Sequence, residues 1–141
     1  VKAESTVMPV APYEIEYEED LAKITFFENV QPKVVEEGEA EKYEYDMYRL
    51  ELINRDNLIA NLDSNLDAWI MTAKDVEYAE LADEVRKKRN KLLTESDWTQ
   101  LVDASLTTKN KETWLVYRQA LRNVPQQKGF PHDVVWPKLV I

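Results

Sequence analysis

The chain of 141 residues contains no cysteine, two glycines and one histidine. The absence of thiols removes disulfide frameworks, thiolate nucleophiles and cysteine-rich zinc sites together, so stability has to come from packing. Gly38 and Gly129 stand far apart, and two separated glycines cannot build a loop that cradles phosphate, which excludes nucleotide binding of the P-loop and dinucleotide kinds. His132 lies next to Pro131 in the C-terminal region. Any Ser/His/Asp or Cys/His arrangement would rest on that one side chain, so no catalytic residue is assigned and no enzyme is expected. No apolar run approaches the roughly twenty residues that span a bilayer, and no basic segment followed by an apolar one opens the chain. The expectation is no membrane partner, with the cytoplasm as the default location. The first residue is Val1 rather than Met, which points to a longer product or to processing.

What the chain has in excess is acid: 27 Asp and Glu against 18 Lys and Arg, a net charge of −9. The imbalance is local. Residues 1–80 hold 20 acidic and 7 basic groups, whereas residues 81–141 hold 7 and 11. A basic half of that size beside so acidic a one would give only weak, salt-sensitive phosphate binding, so no nucleic acid partner is expected. The carboxylate runs at 18–20, 36–41 and 44–46 lack the ligand spacing of a calcium loop and read as solvated faces; no metal and no cofactor is assigned. The basic run Arg86, Lys87, Lys88, Arg89 and Lys91 spreads around a helix and is first a solvated surface. Facing the acidic half of another copy, it also allows head-to-tail homo-oligomers.

A chain of this length is about one domain and can bury on the order of two thirds of its unfolded surface. Residues 1–22, with Pro9, Pro12 and the acidic run from Glu14 to Asp20, are expected to form an extended or partly disordered arm. Residues 23–53 read as a β-hairpin or small antiparallel sheet. Ile24, Thr25, Phe26 and Phe27 are strand formers, Tyr43, Tyr45 and Met47 alternate with Glu44, Asp46 and Tyr48, and Gly38 supplies the turn. Residues 54–141 switch to helical period. Leu58, Leu62, Leu66, Trp69, Ala73 and Val76 form one stripe, and Tyr78, Leu81, Val85 and Leu92 fall nearly opposite it. Either a break near Asp75 separates helices over 54–74 and 76–93, the first capped by Asn54 or Asp56, or one long helix changes the partner of its buried face midway. A third helix follows Thr107, carries Trp114, Tyr117, Leu121 and Val124, and ends at Pro125. The class is therefore α+β, a hairpin or small sheet followed by about three helices and an irregular Pro/Trp-rich tail, with residues 22–141 as one compact unit.

Trp114 and Tyr117 sit at core-facing helical positions, but Trp98 and Trp136 lie in non-helical stretches where periodicity gives no reason for burial. Trp, Tyr and Arg are the usual hot-spot residues of protein interfaces, so Trp98, Arg118, Arg122, Phe130 and Trp136 are the expected partner-binding surface. The competing reading is that the bulky tail residues lock the tail onto its own helices.

One ordered series of motifs runs through this region: Arg86 and Arg89, then Ser96-Asp97-Trp98-Thr99-Gln100, Tyr117-Arg118-Gln119-Ala120-Leu121-Arg122, Pro125-Gln126-Gln127, Gly129-Phe130-Pro131 and Trp136-Pro137. It resembles the tail assembly chaperone proteins of tailed bacteriophages and prophages, and residues 43–51 and 61–69 extend the likeness to about residues 23–137. The chain departs from the family pattern at Val102, where proline is common, and over residues 108–111, where acidic residues are common. The resemblance implies a non-enzymatic protein of the host bacterial cytoplasm that binds a phage tail protein (tail fibre, tape measure or baseplate component) during virion assembly. The alternative is a structural tail, baseplate or fibre-attachment module that stays in the virion tail.

Overall fold

The alternation in residues 43–53 becomes the longest ladder of a four-stranded antiparallel sheet in the computed structural model, which describes residues 1–141. The strands are β1 (Lys2–Ser5), β2 (Tyr13–Glu18), β3 (Leu21–Lys33) and β4 (Lys42–Ile53), in the order β1-β4-β3-β2. Helix α1 (Leu58–Ser64), helix α2 (Leu66–Glu95), a 3-10 turn at Asp97–Gln100, helix α3 (Thr108–Arg122) and a second 3-10 turn at Val124–Gln126 follow. This is the α+β class expected. In place of one unit from residue 22 to 141, the chain divides into two, Val1–Glu77 and Tyr78–Ile141, with the boundary inside α2.

In the N-terminal unit, the alternate residues Ala22, Ile24 and Phe26 of β3 are buried with Leu50 of β4, Leu58 and Leu62 of α1, and Ile70 and Ala73 of α2. One face of β3 and β4 thus meets one stripe of each of these helices, which is what periods of 2.0 and 3.6 require of a shared core. Gly38, with φ of 91°, turns the chain between β3 and β4. Asn29, also left-handed at φ 54°, sits where the β3–β4 register shifts between Glu28 and Gln31, and its amide donates to the Asp46 carboxylate at 2.7 Å. Asn is among the few side-chain-bearing residues that adopt this conformation readily.

Three expectations change. Residues 1–22 are extended, but they do not stand apart as an arm. β1 pairs with β4 from Lys2 opposite Asp46 to Ser5 opposite Tyr43, and β2 pairs with β3 from Tyr13 opposite Phe26 to Glu18 opposite Leu21. Tyr13 and Ile15 pack on the core, so the acidic run is one face of an amphipathic strand. The helical break falls at Asn65 rather than at Asp75, and α2 carries both apolar stripes without interruption, the one-long-helix alternative. The first helix is capped at Asn57, without a side-chain hydrogen bond, instead of at Asn54 or Asp56.

Candidate partner-binding surface

Within the C-terminal unit, Thr107 opens α3 by accepting a hydrogen bond from the Asn110 N–H at 3.2 Å, as its N-cap position predicts. The helical period then buries Leu121 fully and turns Trp114, Tyr117 and Arg118 inward. Trp114 lies edge-on to Tyr117, with centroids 5.8 Å apart, and edge-on to Trp98 at 6.0 Å. Its indole N–H is buried and meets no acceptor.

Arg118 is not at the surface, which corrects its assignment to an exposed patch. It is 5% exposed, and its guanidinium donates to the Leu93 carbonyl at 2.6 Å, the Ser96 hydroxyl at 2.7 Å and the Asp97 carboxylate at 2.7 Å. All three acceptors lie where α2 ends and the Asp97–Gln100 turn begins. A planar fork of five donors is the side chain that can serve several acceptors at once, including the Leu93 carbonyl at the end of α2, which also accepts from the Ser96 N–H at 3.2 Å and the Ser96 hydroxyl at 3.0 Å. Ser96 supports the same turn through its hydroxyl, bonded to the Leu92 carbonyl at 2.8 Å, and Thr99 bonds back to the Ser96 carbonyl at 2.7 Å. The result is a fixed platform that presents Trp98, 49% exposed, against the Trp114 ring.

The tail is ordered by side-chain clamps. Gln127 donates to the Val135 carbonyl at 2.8 Å and accepts the Val135 N–H at 2.9 Å, while the Asp133 N–H reaches the Gly129 carbonyl at 2.7 Å. A Cβ at position 129 would stand 2.1 Å from the Asp133 carbonyl oxygen, so glycine is required there for close approach. Phe130, half-buried, meets Tyr78 edge-on at 6.4 Å and lies 5.2 Å from the Arg86 guanidinium; the Lys88 ammonium stands 4.3 Å over the half-buried Trp136 ring. Two cations of the basic run therefore cap two tail aromatics. Sequence reasoning read that run as solvated and missed Tyr78, Arg86 and Lys88 as tail contacts. The available signal was that Lys88 falls on the stripe of Tyr78, Leu81, Val85 and Leu92. Arg122, in the last turn of α3, is exposed. Along α3 runs a groove of about 620 Å³ lined by Val116, Tyr117 and Ala120 of the helix and by Pro137, Leu139 and Val140 of the tail.

No group of three or more His, Asp or Glu side chains is gathered to hold a metal ion, and no helix is long and apolar enough to cross a membrane. The exposed chemistry of the unit combines large aromatic and aliphatic side chains with charges of both signs, which defines an α+β protein whose helix-and-tail module carries a mixed apolar and charged surface. Residues 82–139 match the phage tail assembly chaperone protein family. That segment contains Trp98, Arg118, Arg122, Phe130 and Trp136 and bears out the resemblance read from its motifs; residues 23–81 lie outside the match. Comparison with curated proteins and with solved structures gives no match.

Proposed function

We propose that the chain is a non-enzymatic phage tail assembly chaperone that holds a tail component during virion assembly. Its contact surface is built from Trp98, Phe130, Trp136 and Arg122 and the groove along α3. The observation that carries this reading is Trp98: half of a tryptophan is left in water although the turn beneath it is fixed by the Arg118 hydrogen bonds. A rigid, part-exposed aromatic is the kind of anchor that dominates interface energetics, because little conformational entropy is lost when a partner covers it. Arg118 takes the role of a positioning residue in this scheme, holding the turn that displays Trp98.

The test is co-purification of the chain with the neighbouring tail genes' products from cells expressing them together, read by mass spectrometry. Trp98→Ala should lose the captured tail component at a stability cost of about 1–2 kcal/mol, from half-burial of the ring and its contact with Trp114, which leaves the fold intact. Recovery of a tail component by the wild type, with the chain absent from purified particles, fits a chaperone that leaves. Presence of the chain in particles would favour the attachment-module alternative, and capture unaffected by Trp98→Ala would overturn the surface.

A further inference from the structure

β2 is the outermost strand at one edge of the sheet. The Phe27 N–H donates to the Pro12 carbonyl at 2.9 Å, and the register that follows sets Glu14 opposite Thr25 and Glu16 opposite Lys23. In an antiparallel ladder, residues that exchange hydrogen bonds alternate with residues that do not. Glu14, Glu16 and Glu18 therefore turn their backbone groups toward β3, and Tyr13, Ile15 and Tyr17 turn theirs to the open edge. The side chains divide the other way. Tyr13 and Ile15 lie on the core face, and Glu14, Glu16 and Glu18 share the opposite face. Lys23 bridges to Glu18 and is also attracted to Glu16 opposite it, while Glu14 makes no salt bridge and Glu16 none within contact distance. At the end of the edge, Tyr17, 53% exposed, borders a cleft of about 320 Å³ with Arg55, Leu58 and Ile59.

A second copy of the chain does not suit this edge. Antiparallel pairing of two β2 strands through Tyr13, Ile15 and Tyr17 sets Glu14 of each directly opposite Glu16 of the other, and like charges facing across a ladder are destabilising. We infer that the β2 edge accepts, by strand addition, an extended segment of a partner protein in which Lys or Arg alternates with apolar residues. Its backbone completes the N–H and C=O groups of Tyr13, Ile15 and Tyr17. Its cations face Glu14 and Glu16, and its apolar side chains continue the core face, one of them toward the cleft beside Tyr17. The glutamates that guard the edge against self-pairing thus select the partner. This surface belongs to the N-terminal unit and stands independently of the Trp98 surface.

The probe is a short capped peptide alternating lysine and valine, with a control of the same composition whose lysines are contiguous, each titrated into the full chain and followed by amide exchange in NMR. Binding of the alternating peptide should slow exchange at Tyr13, Ile15 and Tyr17. Glu14→Lys with Glu16→Lys should weaken it about tenfold or more, from two cross-strand attractions reversed to repulsions. Tyr17→Pro removes one outward N–H without touching the ladder to β3 and should also weaken it; circular dichroism checks that both variants keep the fold. Trp98→Ala should leave it unchanged. Equal affinity for the control, binding without protection of those three amides, or no binding at roughly millimolar peptide would overturn the inference.

Discussion

Replacing Arg118 with Ala tests the most constrained part of the C-terminal unit. The guanidinium serves three acceptors, and their surroundings set their worth. Asp97 has a side chain 63% exposed, so its ion pair contributes the roughly 0–1 kcal/mol of a surface bridge. The Ser96 hydroxyl is a buried acceptor at 2.7 Å, and removing its donor costs about 1–3 kcal/mol; the Leu93 carbonyl, at 2.6 Å, keeps the Ser96 N–H and hydroxyl and loses only the net worth of one hydrogen bond, about 0.5–1.5 kcal/mol. Lost packing of the arginine stem adds to this, for a total of about 3–5 kcal/mol. With a urea slope near 2 kcal/mol/M, the unfolding midpoint should fall by about 2 M. Asp97→Asn, which removes only the exposed partner's charge, should cost less than about 1 kcal/mol. Arg118→Lys should recover less than half of the loss, since one ammonium cannot reproduce the fork. Urea titration of the three variants decides the matter. A loss below about 1 kcal/mol for Arg118→Ala, or equal losses for Arg118→Ala and Asp97→Asn, would refute the assignment of a buried hub and return Arg118 to the surface.

Gly129→Ala should destabilise the tail by about 2 kcal/mol or more, because its Cβ meets the Asp133 carbonyl oxygen and backbone must shift to relieve it; faster amide exchange at Asp133 and Val135 checks this. Tyr13 donates to the Asp63 carboxylate at 2.6 Å, and that hydrogen bond, with burial next, pushes the phenol from 10.0 up to about 12. The protonated phenol is the stabilising form, so Tyr13→Phe should cost about 1 kcal/mol below pH 10. The wild-type advantage should vanish as pH rises from 10 toward 12, which denaturation at several pH values would show. Trp136→Ala should lower stability by about 1–2 kcal/mol, the sum of partial ring burial and the Lys88 contact, in thermal or urea unfolding; a loss under about 0.5 kcal/mol would mean that the tail is not locked by this ring.

The parts of the fold legible in the sequence were those whose signals are local. β3 and β4 announce themselves by alternation and a glycine turn, and α3 by a threonine cap, a period and a proline stop. β1 and β2 were not legible, because Pro9, Pro12 and dense glutamate resemble a solvated leader. What makes them strands is pairing, and β1 finds its partner roughly forty residues away, beyond any local window. The helix break illustrates a second limit. Asn54, Asp56, Asp75 and Asn65 all have capping chemistry, and tertiary packing selects among them. At the candidate surface, Trp98 and the capped tail were readable as bulky residues without a periodic home. Arg118 was not, since its burial depends on a carbonyl 25 residues earlier in the chain.

The strand order β1-β4-β3-β2 also carries a timetable. During synthesis β2 can close on β3 within a few residues of leaving the ribosome, but β1 must wait for β4, whose matching residues emerge roughly 40 positions later, a delay on the order of 2–8 s at bacterial or eukaryotic elongation rates. Among the four strands, the first made is thus the last to be seated, and a nascent chain halted before residue 43 leaves Lys2–Ser5 without its partner. Ribosome-stalled lengths on either side of that point should differ sharply in how fast a protease trims Lys2–Ser5.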